Sequence, residues 1–156
     1  KHLRHSALDD AISACPDPLW TAVLWNDSDD ARYGQFWFVA YHTLFWLDLF
    51  LTGSLEGFAP PLPFIRGALP EKPYTKDAVR AYLKQCRQKS KAAIEALTDE
   101  KARWVCTFEW MEPAFLELQL YSMRHVQGHA AQLSFCLGQN GVSGFDWIPK
   151  AKDNAS

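Results

Sequence analysis

Charge of one sign is what this sequence most plainly lacks. Sixteen Lys and Arg stand against eighteen Asp and Glu, a formal net charge of -2 over 156 residues. No basic stripe of the kind that grips a phosphate backbone is present, so no nucleic-acid partner is expected. Paired cysteines are missing too. Cys15, Cys86, Cys106 and Cys136 are far apart and form no C-x-x-C. A chain able to bury a full core has no need of a disulfide framework, so reduced thiols and a cytoplasmic setting are expected. The sequence opens on Lys1 rather than Met, so its first residues do not speak for the native start, although no basic-then-apolar leader is expected from them. No apolar run suits a membrane: the richest, Phe36 to Leu51, is interrupted by His42, Thr43 and Asp48, where a spanning helix needs about 20 nearly unbroken apolar residues. Internal repeats, low-complexity tracts and convincing strand alternation are absent as well.

What is present is a core. Hydrophobic residues make up 48% and charged residues 22%, which excludes general disorder, and the length suits a single domain over residues 1–156. Aromatics reach 14%, more than a minimal core requires; a large pocket or a subunit interface would absorb the surplus.

The apolar periodicity predicts helices and nothing else. Leu3, Ala7, Leu8, Ala11 and Ile12 recur at helical spacing and stop before Pro16. A further turn or two is expected over Leu19–Trp25, with Asp17 as cap and Pro18 at the first position. A second long helix is expected from Ala31 to about Thr52, closed by Gly53, a third from the Thr75 cap to about Leu97, and a fourth from Pro113 to Gly138. Residues 53–74 carry Pro60, Pro61, Pro63, Pro70 and Pro73. Antiparallel neighbours need only about 2–8 linking residues, whereas a return along a helix of roughly 20 residues covers about 30 Å. The expected fold is therefore all-α, a four-helix bundle with one long crossover, in which helices two and three run parallel and the crossover is free to fold over one end as a lid.

Three histidines lie inside these apolar helices. His125 and His129 are four residues apart, so both imidazoles leave one face of the fourth helix one turn apart, the arrangement that lets two helical histidines grip one divalent metal. The stripe Leu118, Ser122, His125, His129, Gln132, Cys136 keeps core-facing spacing. His42 falls near the middle of the second helix and the pair near the middle of the fourth, so whichever way the helices run their midpoints stand at similar height. One pair alone is weak, since a histidine on a core face is more often a hydrogen-bonded structural residue. Three at matched depth weigh more, because each buried unsatisfied imidazole costs about 1–3 kcal/mol and a shared cation removes that cost for all.

At this point the sequence resembles a known family. Tyr41-His42-Thr43-Leu44-Phe45-Trp46-Leu47-Asp48 on the second helix, His125-x-x-x-His129-x-x-Gln132-Leu133 on the fourth, then Leu137-Gly138-Gln139-Asn140-Gly141 and Asp146-Trp147-Ile148 look like the DinB-like superfamily of bacterial metalloproteins, related to bacillithiol and mycothiol S-transferases. The resemblance implies a one-crossover bundle, a divalent metal on His42, His125 and His129, and homodimers. Members often carry a second His directly before the last ligand, where this chain has Gly128.

Three neutral imidazoles leave coordination positions open, unlike a closed structural zinc site. Such a site suits a small-molecule substrate, by S-transfer or isomerisation with a low-molecular-weight thiol or by hydrolysis, with Zn, Ni, Mn or Fe as the metal. Tyr41, Phe45, Trp46 and Tyr121 are candidates to line the pocket, and Gln132 to hydrogen-bond a ligand or substrate. Asp48 lies about 240° around the helix from His42 and is expected to serve as an interhelical partner or to orient an imidazole. Glu109, Glu112 and Glu117 lie near or before the fourth helix, and the first two suit its positive start rather than catalysis; Cys136 suits the core rather than a nucleophile. Phe145, Trp147 and Ile148 are expected to pack back onto the bundle. The rival readings are a non-catalytic metal-binding stress-related protein and a dimeric interaction module with structural histidines.

Overall fold

The computed structural model describes residues 6–143; His2, His5 and the tail residues Phe145, Trp147 and Ile148 lie outside them. Five α-helices follow in order: α1 (Ala7–Ala14), α2 (Phe36–Thr52), α3 (Lys76–Glu95), α4 (Asp99–Arg103) and α5 (Phe115–Gln139). Single 3-10 turns stand at Asp17–Leu19 and Ala31–Gly34. Among the described residues the only β-type pairings are the isolated bridges Val23–Gln35, Val105–Ala114 and Phe108–Met111, so the expected all-α class holds. No helix there is long and apolar enough to cross a membrane.

α2 packs against α3 and α5, and α1 touches the same two helices. Helix directions follow from which residues meet. Along α2 and into α3 the pairs Tyr41–Tyr74, Asp48–Tyr82 and Thr52–Lys89 step the same way, so α2 and α3 run parallel and residues 53–75 are the long return. Along α5 the order reverses: His42 meets His125 and His129, while Phe50 O accepts from Gln119 Nε2. α1 is antiparallel to α3, with Asp9 on Arg87 and Cys15 O on Lys76.

The returning segment is packed rather than draped. Phe64 is buried and its ring lies on Tyr41 and Tyr82, Tyr41 Oη donates to Ile65 O, and Trp20 Nε1 donates to Tyr74 O. It lies along the α2–α3 seam, with Phe58 against Phe45.

Element starts differ from the expected ones for a shared reason: backbone caps replace side-chain caps. α2 begins at Phe36 rather than Ala31 because Phe36 N–H donates to Ala22 O and Trp37 N–H to Trp20 O, which uses two of the amides that a helix start leaves unpaired. Residues 22–24 therefore lie alongside residues 34–36, bridged at Val23 and Gln35, and the expected helical turns at Leu19–Trp25 do not form beyond the short 3-10 turn and the tight turn after it. Asp17 makes no cap and instead pairs with Lys76 at 3.2 Å. α5 starts at Phe115, whose N–H goes to Trp104 O, while Pro113 O accepts from Cys106 N–H. The expected third helix ends at Glu95, and a separate α4 follows, capped by Thr98 Oγ1 accepting from Lys101 N–H.

Gly34 is where this crossing is tightest. A Cβ there would stand 1.9 Å from the Trp25 carbonyl oxygen, a backbone atom that cannot turn aside. Gly34→Ala is expected to break the Leu24 N–H to Gly34 O hydrogen bond and to cost about 2–4 kcal/mol. Thermal unfolding would show a midpoint lowered by about 4–16 °C; an unchanged midpoint would contradict the close approach of Gly34 to the Trp25 carbonyl.

Candidate metal centre

α2 is apolar nearly all the way round, and most of its residues are buried, so a polar side chain at mid-helix needs a partner on whatever packs there. For His42 that neighbour is α5. The structure brings the three expected histidines together: His42 Nε2 and His125 Nε2 are 3.2 Å apart, His129 Nε2 and His125 Nε2 are 3.1 Å apart, and three donor atoms lie within 4.8 Å of one another. Each residue is half-buried. Phe38 and Trp46 flank the His42 ring at 6.0 and 6.2 Å between centroids.

These contacts are hard to account for as hydrogen bonds. His129 Nδ1 lies 2.7 Å from Gln132 Oε1, which can only accept, so in the neutral ring the proton is on Nδ1 and Nε2 carries a lone pair. His125 Nε2 holds either one proton or one lone pair, so it cannot make proper hydrogen bonds to both His42 and His129. A shared cation satisfies all three. Imidazole nitrogens bound at about 2.0–2.1 Å with tetrahedral or octahedral angles stand about 2.9–3.4 Å apart, which brackets both observed separations.

Electrostatics favour the ligand form. Burial, reinforced by the neighbouring His129 and His125, pushes His42 down to about 3. Burial, with His129 adding to it, pushes His125 down to about 4. Both rings are thus neutral near pH 7, as metal ligation requires. The donor set, its spacing and its protonation fit a divalent metal.

Comparison with known protein families, curated proteins and solved structures finds no match.

The other expected residues are spread more widely. Gln132 joins the centre through His129, and Trp46 borders it, with Trp110 edge-on at 5.8 Å. Phe45 sits between Tyr41 and Phe58. Tyr41 is buried, and its hydroxyl is engaged by Ile65 O. Tyr121 is exposed, edge-on to Phe50 with Arg124 over its ring. Asp48 faces α3, where it accepts from Tyr82 and Lys89. Glu109, Glu112 and Glu117 are exposed. Cys136 is buried, and burial raises its thiol; the other three cysteines are likewise unpaired and buried. Two broad surface hollows, one by Lys101, Arg103 and Trp104 and one by Leu116, Glu117 and Leu120, include none of the histidines. Phe38 and Trp110 went unseen in the sequence: Phe38 stands one helical turn before His42, a spacing that could have found it, whereas Trp110 stands at no distinctive spacing from a ligand.

Proposed function

We propose that this chain is a metal-dependent enzyme of the DinB-like kind, a one-crossover four-helix bundle in which His42, His125 and His129 hold one divalent cation and act with it on a small molecule. The observation that carries the reading is the meeting of three imidazoles from two helices, with the His125 Nε2 3.2 Å from that of His42 and 3.1 Å from that of His129 and all three donor atoms within 4.8 Å of one another. When bound, a divalent cation here supplies Lewis acidity, lowering the pKa of a thiol or water held at its open position. The chain's own residues prepare that position. Gln132 fixes the His129 tautomer by accepting from Nδ1–H. Burial keeps His42 and His125 neutral, and Phe38 and Trp46 limit water around the His42 ring. Zn, Ni and Fe suit imidazole ligands, and Mn, which favours oxygen donors, ranks below them. Thiol-dependent S-transfer or isomerisation leads over hydrolysis on the resemblance to the S-transferases, and a cytoplasmic homodimer completes the reading.

Metal analysis of protein purified without a His-tag tests it. About one equivalent of a transition metal is expected, and less than about one-tenth equivalent of Zn, Ni, Mn and Fe together would overturn it. In the Co(II) form, a visible spectrum that shifts with a low-molecular-weight thiol supports S-transfer, and one indifferent to every thiol removes that route.

A further inference from the structure

Two buried polar atoms near the centre have no hydrogen-bond partner: Ser122 Oγ and His125 Nδ1. Unpaired buried polar atoms are uncommon, because each forfeits about 1–3 kcal/mol of solvation. These two sit three residues apart on one face of α5, and helical side chains lean toward the N-terminus, which carries the His125 ring back over the turn that holds Ser122. Ser122 is 1% exposed, one helical turn after the buried Leu118. The other imidazole of α5 has its Nδ1 engaged by Gln132; His125 has no such side chain.

Building on the metal reading above, we propose that Ser122 is a positioning residue for His125, joined to its Nδ1–H through one shared buried water. A water accepting from Nδ1–H and exchanging a hydrogen bond with Ser122 Oγ meets the need of both atoms, and polar buried sites hold water on such terms. The bridge assigns the His125 proton to Nδ1 and leaves the Nε2 lone pair for the cation. A ligating imidazole ordinarily has its second nitrogen held in this way. Ser122 itself does not touch the cation.

Ser122→Ala tests the assignment in the zinc-loaded protein. Competition with a chromophoric chelator is expected to show affinity lowered about ten- to a hundredfold. The unfolding midpoint of the metal-free protein should stay the same or rise, since an unpaired hydroxyl has been removed from the core. Ser122→Thr, which keeps the hydroxyl, should recover most of the affinity. Long-range 1H–15N spectra of the zinc form should show His125 protonated at Nδ1 with a slowly exchanging proton, and faster exchange in Ser122→Ala. Unchanged zinc affinity in Ser122→Ala overturns the proposal, as does a lowered metal-free midpoint with no change in exchange, which would make Ser122 a packing residue. A wild-type protein that takes up no zinc overturns the metal reading itself and is told apart by that result.

Discussion

His42→Ala is expected to weaken zinc binding by more than about a hundredfold, beyond the usual loss when only a residue that hydrogen-bonds a ligand is removed. The reason is geometric. His125 and His129 alone form a two-point grip on one helix, whereas His42 comes from α2 and closes the site from across the interface. The helix should survive: alanine is the best helix former, and the variant removes a ring that burial holds neutral. Circular dichroism should therefore match wild type while chelator competition shows the loss. Zinc held as tightly as by wild type would show that His42 is not a ligand. Equal loss in His42→Ala and His125→Ala would be the mark of a single shared ion, since each variant removes one of the three grouped ligands.

The histidine centre was legible because two periodicities agreed. The four-residue spacing placed His125 and His129 on one face, and mid-helix position set His42 at the same height, with no knowledge of which helices touch. The groups that support the centre were less legible. Gln132 shares the stripe with the ligands, yet spacing cannot say whether its amide reaches an imidazole, a substrate or the core. Trp110 reaches Trp46 only because residues 104–115 fold back on themselves through Phe108 N–H to Met111 O and Phe115 N–H to Trp104 O. Such a non-local contact leaves no periodic trace.

Fold reading succeeded and failed along the same line. The parallel course of α2 and α3 followed from the length of the proline-rich segment between them. Helix starts were misplaced where carbonyls from distant backbone, at Trp20, Ala22 and Trp104, took the free amides, since any residue type can supply a carbonyl. The short helix α4 had a sequence signature, Thr98 followed by Asp99 and Glu100, which the apolar run through Leu97 obscured.

Asp48→Ala should be the most destabilising of the polar substitutions and yet leave the metal centre alone. Asp48 Oδ2 accepts from Tyr82 Oη at 2.8 Å and Oδ1 from Lys89 Nζ at 2.5 Å, while Lys89 also reaches Thr52 Oγ1. Asp48 is 8% exposed and Tyr82 is 1% exposed, so alanine would strand the tyrosine hydroxyl in the α2–α3 core. Lys89 would suffer less: its side chain is 39% exposed, and it keeps Thr52 and the residue-48 carbonyl. The expected cost is about 2–4 kcal/mol, below the 3–5 for breaking a fully buried pair, with Asp48→Asn losing less because an amide oxygen still accepts from Tyr82. Denaturant unfolding of both variants measures the difference. Zinc affinity of the folded Asp48→Ala protein should stay within about threefold of wild type, because the carboxylate is committed to α3 and hydrogen-bonds no imidazole; a loss on the ten- to hundredfold scale of a ligand's partner would mean that Asp48 orients His42 after all.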